Sequence, residues 1–279
     1  MENKPTIPEA AVAASPLVWR RGVVAEGARA LPEECAVALT YDRVSFAVMM
    51  ATPRDLEDFA LGFSLSEGIV EAMDEITDLE IVPLPAGIEC RMSLAPARRD
   101  ALAARRRKIA GPVGCGLCGI DSLDQAVRPP RRVASALRMH AGAIAAGFER
   151  LAVMQVLNRQ THGVHAAGFL GADGALLVRE DAGRHNALDK LIGAVARTGA
   201  NGANGAGGAV LLTSRVSIEL IQKTAMFGAP ILAAISVPTA RAVREAEAAG
   251  MTLIAVARDD GFEVFTGAAR ILGLSYPPA

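Results

Sequence analysis

Cysteine is scarce in this chain. Four residues, Cys35, Cys90, Cys115 and Cys118, occur among 279, too sparse for a disulfide framework and in keeping with a reducing compartment. Net charge is nearly absent as well. The 29 Lys and Arg against 30 Asp and Glu leave a formal charge of -1, which offers no global attraction to nucleic acid or to an anionic membrane surface. The opening MENKPTIPEA lacks the basic region and apolar core of a signal peptide. Apolar stretches are broken by Gly, Pro or charge well before the roughly 18 residues that cross a bilayer. The expectation is a soluble cytoplasmic protein with no nucleic-acid partner and no membrane insertion. What the chain does have is apolar mass: 51% of its residues are hydrophobic, enough to bury one large core or two unequal ones.

Three regions are expected. Residues 1–16 read as a loose, disordered tail. Residues 17–130 read as a smaller α+β portion carrying a cysteine loop at its end. Within it, CAVAL (35–39) and VSFAVMM (44–50) flank a tight turn. ATPRDLEDFALGFSLSEGIV then signals a helix with Thr52 as cap, Pro53 at the first turn, Asp55 in a capping box and Gly68 as the stop. Residues 79–95 suggest edge strands. Residues 131–279 read as an α/β core with a mostly parallel sheet. A helix over 134–157, interrupted near Gly147, leads into it. Strands at 209–212, 230–235 and 252–257 alternate with helices at 216–227 and 238–249, as in parallel βαβ units. Sites on such sheets gather at the carboxyl ends of the strands, here Thr213-Ser214-Arg215, Ser236-Val237-Pro238 and Arg258-Asp259-Asp260. The glycine-rich 198–208 is expected to be a flexible surface connection.

The sharpest chemical feature is GPVGCGLCGIDSLDQ (111–125), with Cys115 and Cys118 set among glycines behind the basic run 105–108. A structural zinc site needs two more ligands at a recognisable spacing, and the pair supplies only half of that shell. A zinc deaminase needs an H-x-E element, which none of the four histidines provides. The embedded G-x-G-x-x-G follows a basic segment rather than a strand, and no acid lies some 20 residues on, so it is no dinucleotide fingerprint. Thiol chemistry remains: a nucleophile or sulfur acceptor in an open loop beside cations that favour the thiolate. A disulfide redox pair and two inert thiols remain alternatives.

Three polar clusters follow. THGVHAAGFL (161–170) sets His162 and His165 before an apolar strand. REDAGRHNALDKLIG (179–193) crowds Glu180, Asp181, Arg184, His185, Asn186, Asp189 and Lys190 into a turn that opens a helix, where a phosphate or heterocycle can be held. A capped surface helix with local ion pairs is the bland alternative. TSRVSIELIQKTAMFG (213–228) places Ser214, Arg215 and Ser217 where a strand meets its helix, a natural anion site.

Together these motifs resemble the formate dehydrogenase accessory protein family, the FdhD sulfurtransferases of molybdenum cofactor maturation. The resemblance rests on ATPRDLEDFALGFSLSEGI, Cys115-Gly116-Leu117-Cys118-Gly119, His165-Ala166-Ala167, Glu180-Asp181, Gly183 to Lys190, Ser214-Arg215-Val216-Ser217 and Ser236-Val237-Pro238-Thr239, in family order. It implies a cytidine deaminase-like α/β core and a sulfurtransferase acting through a cysteine persulfide. Such a protein takes sulfur from a cysteine desulfurase and passes it to the molybdenum or tungsten bis-guanine-dinucleotide cofactor before that cofactor enters the formate dehydrogenase catalytic subunit. It also implies a homodimer without a structural metal. Cys115 and Cys118 become the sulfur-handling candidates. His165, Asp181, Arg184, His185, Asn186, Asp189, Lys190, Ser214, Arg215 and Ser217 become the cofactor-binding ones. A chaperone that holds the cofactor without carrying sulfur is the competing reading. One departure stands out: the family turn before the histidine reads Thr-Gly-Gly, whereas this chain reads Thr161-His162-Gly163.

Overall fold

A computed structural model describes residues 5–106, 130–199 and 204–274. The cysteine loop with Cys115 and Cys118 lies outside the described residues.

The chain opens with a long two-stranded ribbon. Strand β1 (Ala11–Ala14) pairs with β4 (Arg29–Pro32), and β2 (Leu17–Arg20) pairs with β3 (Val23–Glu26), both antiparallel. Hydrogen bonds from Gly27 N–H to the Pro16 carbonyl and from Glu33 N–H to the Ala10 carbonyl carry the ladder past both pairs. The stretch expected to be a loose tail is therefore strand from Ala11 onward.

A four-stranded sheet follows in the order β6-β5-β8-β7, built from β5 (Cys35–Tyr41), β6 (Val44–Ala51), β7 (Ile76–Leu84) and β8 (Gly87–Leu94). Of the two strands expected at edges, only β7, which carries Pro83, lies at one. Helix α1 (Leu56–Ser66) covers one face, where Phe59 and Phe63 close over Val37, Leu39, Tyr41, Ile88 and Met92. Its start differs from the sequence signal. Asp55 takes the N-cap position in a left-handed conformation with no side-chain cap bond, because Thr52 is engaged elsewhere. Helix α2 (Pro96–Arg106) ends the first described segment.

The second sheet has six strands in the order β11-β10-β12-β13-β14-β15. They are β10 (His165–Gly171), β11 (Leu176–Asp181), β12 (Gly208–Leu212), β13 (Ile231–Ala234), β14 (Thr252–Arg258) and β15 (Gly261–Thr266). Only β12-β13 and β13-β14 pair in parallel; the other three pairings are antiparallel. The mostly parallel sheet expected from the sequence is thus a mixed one. β10-β11 and β14-β15 are joined by turns too short for a crossover, which forces the antiparallel direction.

One face of this sheet is covered by α3 (Ala141–Met154), through Ile144 and Leu151 against Leu170, Leu211 and Ile254. Gly147 does not interrupt α3; the chain breaks at Gln155, and α4 (Val156–Thr161) follows. The Glu180 carboxylate accepts from the N–H groups of Leu157 and Asn158 and so caps α4 from the neighbouring strand. The other face carries α5 (Arg184–Thr198), α6 (Ile218–Phe227) and α7 (Ala240–Ala248). The short pair β9 (Met139–His140) and β16 (Ile271–Leu272) closes one end. Gly205, in the connection expected to be a loose surface loop, is buried against Phe227 and Ala229.

The two sheets meet through a helix pair. Gly62 of α1 faces the Asp189 backbone of α5, and Gly193 of α5 faces the Asp58 backbone of α1, so close that a methyl group at either position would overlap main chain. Approach of this kind requires glycine on both sides. Asp58 then binds Arg179 at 2.7 Å and Arg197 at 2.9 Å across the same seam.

Candidate functional site

The antiparallel pairings bring the polar motifs to one end of the six-stranded sheet. His165 begins β10 opposite Asp181, which ends β11, and Ala167 lies opposite Leu212 at the end of β12. The Thr213 side chain ties this end together, accepting from Ala166 N–H at 2.8 Å. Ser236 and Arg258 follow the ends of β13 and β14 on the same side. The expected polar residues thus lie at the carboxyl ends of β12, β13 and β14, while β10 contributes its amino end.

The predicted residues divide sharply in what they do. Asp181 is fully buried; its Oδ2 accepts from Lys190 Nζ at 2.6 Å and from Thr52 N–H at 3.0 Å, and its Oδ1 accepts from Gly183 N–H and Asn186 Nδ2. Lys190, equally buried, also donates to the Thr52 carbonyl at 2.9 Å, and Asn186 donates to the Met50 carbonyl. Thr52 Oγ1 accepts from Ala182 N–H. These bonds lash the end of β6 to the start of α5. Asp189 belongs to a second knot, accepting from Ser66 Oγ at 2.6 Å and Lys223 Nζ at 3.0 Å. Lys223 also reaches Glu67 at 2.8 Å. Burial opposes the Lys223 charge, but the Asp189 and Glu67 carboxylates outweigh it and push its pKa up. Asp181, Asn186, Asp189 and Lys190, expected to bind cofactor, each hold partners inside the protein. Freeing Asp181, Asp189 or Lys190 for a ligand would break a buried ion pair, which costs on the order of 3–5 kcal/mol.

The remaining residues are under-committed. Gly183 is the N-cap of α5 and Ser217 that of α6, so two sets of first-turn N–H groups lack intrahelical acceptors. The helix starts lie side by side: His185 Nε2 is 4.0 Å from Glu219 Oε2. Arg184 Nε, His185 Nε2, Ser217 Oγ and Glu219 Oε2 are buried atoms that make no hydrogen bond among the described residues. Such orphans are rare in native interiors and each calls for a partner. Burial, then Arg184 and Lys223, push the His185 pKa down to about 4, against the pull of Glu219 and Glu67. Burial and Arg184 likewise lower that of His165. Glu219 moves the other way from what burial dictates. The Ser217 hydroxyl, its own backbone N–H, His185 and Arg184 together hold its carboxyl below the usual range. The Ser217 hydroxyl lies near enough to favour the carboxylate, although Ser217 Oγ and Glu219 Oε2 make no hydrogen bond of ordinary geometry. Ser214 is buried with its hydroxyl turned to the Arg215 carbonyl at 3.2 Å, while Arg215 is exposed. His162 is exposed. Sequence reasoning missed Glu219, whose only signal was its place in the first turn of a helix that opens at a strand end.

The two described cysteines do not have reactive surroundings. Burial pushes the Cys90 thiol up to about 12, with a further contribution from Cys35. Burial and Glu33 raise that of Cys35. Neither favours the thiolate that attack requires.

Comparison with known proteins accords with this architecture. A model of the FdhD/NarQ family matches residues 32–272. The chain belongs to that family. It is similar to the sulfur carrier protein FdhD of Agrobacterium fabrum, 51% identical over 255 residues that cover 91% of this chain and 93% of the relative. The protein of the same name from Cupriavidus necator is 48% identical over 254 residues, covering 91% and 87%. Among solved structures, one described as a formate dehydrogenase accessory protein from Desulfotalea psychrophila superposes with a TM-score of 0.72 at 24% identity, over 95% of this chain and all of the other. That match shows a shared mixed α/β fold. No helix among the described residues is long and apolar enough to cross a membrane.

Proposed function

We propose that this protein is a cytoplasmic sulfurtransferase that carries persulfide sulfur from a cysteine desulfurase to the molybdenum or tungsten bis-guanine-dinucleotide cofactor, working as a homodimer in the service of formate dehydrogenase. The observation that carries this reading is 51% identity, over nine-tenths of the chain, to a protein named for sulfur carriage. The orphaned cluster at the paired helix starts supports it, because a phosphate-bearing substrate meets free N–H groups and a guanidinium there. A cytidine deaminase-like core belongs to the same proposal, supported by the hairpin β10-β11 set beside the parallel β12-β13-β14.

In the first step a thiolate of Cys115 or Cys118 attacks the terminal sulfur of the donor persulfide. The donor S–S bond breaks, a new S–S bond forms on the carrier, and the donor leaves as thiolate. No net electrons are exchanged. In the second step the other cysteine can resolve the loaded one. A Cys115–Cys118 disulfide then forms and hydrosulfide leaves toward the cofactor, the two electrons coming from the thiol pair.

The test is intact-mass and peptide mapping after incubation with an active desulfurase and cysteine. A gain of one sulfur atom at Cys115 or Cys118 is expected. An unmodified pair overturns the sulfurtransferase reading, and full maturation activity in a Cys115→Ala, Cys118→Ala double variant favours a chaperone that binds the cofactor without carrying sulfur.

A further inference from the structure

Six non-glycine residues among those described hold a positive φ, and five of them are Arg, Asp or His in turns or at helix ends. The sixth is Val256, inside β14 at φ 55°. A branched Cβ crowds its own backbone in that conformation, which persists only where the surroundings impose it. The pairing with β15 shows what imposes it. Ala255 lies opposite Glu263 and Arg258 opposite Gly261, so Val256 and Ala257 share the single partner Phe262. Such a bulge re-aims the side chain that follows it. Here that side chain is Arg258, whose guanidinium crosses to the end of β13 and donates to the Ile235 carbonyl as well as to the adjacent Ala257 carbonyl. The Val256 N–H turns the same way, to the Ser236 carbonyl at 3.4 Å.

Both bonds close on the segment that leaves β13, and that segment holds the chain ahead of α6. Val216 N–H donates to the Val237 carbonyl at 3.3 Å, and Thr239 N–H donates to the Val216 carbonyl at 2.9 Å. Val216 is fully buried and immediately precedes Ser217, the N-cap of α6. We propose that Arg258 is a positioning residue for the candidate site, fixing residues 235–238 against Val216 and through it the placement of Ser217, and that the strained bulge at Val256 is kept because it aims this guanidinium. A planar fork can hold two carbonyls at a set angle, which an ammonium on a flexible stem does not. Arg258 is itself exposed, so its removal takes little burial from the fold. The assignment rests on the nucleotide-cofactor reading above and adds to it a residue that touches no ligand.

Titration calorimetry of GDP into the full chain at roughly 50 and 300 mM salt, where screening differs strongly, tests this alongside urea denaturation of the same proteins. Arg258→Met is expected to weaken GDP binding about three- to tenfold, the worth of an ordinary hydrogen bond, equally at both salt concentrations and with a denaturant midpoint near that of the wild type. Arg258→Lys should restore only part of the loss. Val256→Gly, which takes up the left-handed backbone freely, should keep wild-type affinity. Unchanged GDP affinity in Arg258→Met overturns the proposal, whatever its midpoint. So does a loss that shrinks at high salt, which reassigns Arg258 to direct contact with the diphosphate, or a loss in Val256→Gly as large as in Arg258→Met, which assigns the role to the valine side chain. If the folded wild type binds no GDP, the nucleotide-site reading fails and this assignment with it, an outcome distinct from a wild type that binds and an Arg258→Met variant that binds equally well.

Discussion

His162 holds φ 52° and ψ 30° where α4 ends, a left-handed conformation that costs most side chains about 1–2 kcal/mol and glycine very little. Its ring is exposed, so nothing visible offsets that cost, and the family turn places glycine at this position. His162→Gly should stabilise the fold by about 0.5–1 kcal/mol after the extra freedom of the unfolded glycine is counted, read as a higher denaturant midpoint at unchanged slope. His185 makes a prediction of opposite character. Its folded pKa of about 4 lies below the ordinary 6.5, so between those values the unfolded chain binds more protons, and stability falls as pH drops through that window. The loss, fully accrued below pH 4, is about 1–3 kcal/mol. A His185→Gln variant should have a flatter stability profile than the wild type from pH 6.5 to 4, and identical slopes would refute the assignment. What the sequence could not disclose at this scale is commitment. Asp181 and Lys190 have the same chemical character as Arg184 and His185 and share the same short motif. Only folding shows that the first two bind each other while the second two are left open.

The seam between α1 and α5 is where the two sheets become one structure. Gly62→Ala or Gly193→Ala should cost at least the 1–3 kcal/mol of ordinary overpacking, more because the obstruction is rigid main chain; a midpoint within error of wild type would show that the helices can separate freely. The Thr52 knot should respond differently. Lys190→Met leaves Asp181 buried with hydrogen-bond donors but no counter-charge, at a cost of about 3–5 kcal/mol, and urea denaturation will report it. Much of the element pattern was legible in advance. Strands near 209–212, 230–235 and 252–257 and the helices between them were readable because β-branched runs, caps and terminal glycines agree locally. The parallel direction of these three strands was legible too, from the helices between them; the antiparallel strands flanking them were not, since alternation tells which side chains are buried and nothing about which neighbour a strand pairs with. For the same reason β15 and the amino-terminal ribbon escaped notice. The Thr52 cap was misread because its hydroxyl and main chain satisfy partners more than a hundred residues away, a demand that no local signal carries.

Among the described residues, the amino-terminal ribbon exposes the largest apolar side chains. Leu17, Trp19, Val23 and Val24 are 61–74% exposed, and an isolated two-stranded hairpin is marginal in water. Trp19 is the only tryptophan. Native protein at high dilution should therefore emit at the wavelength of hydrated indole and change little on unfolding, while circular dichroism follows the loss of both sheets. A blue-shifted native emission would show that the ribbon is covered. The Gly62–Gly193 contact has a further consequence during synthesis. The α5 backbone that receives Gly62 is made roughly 130 residues later, which at about 5–20 residues per second leaves the nascent α1 without its partner for about 6 to 26 seconds. Through that interval the Asp58 carboxylate lacks its guanidinium donor and the Ser66 hydroxyl lacks its acceptor from the later chain, so the first half of this protein emerges from the ribosome as an unfinished surface that chaperones can recognise.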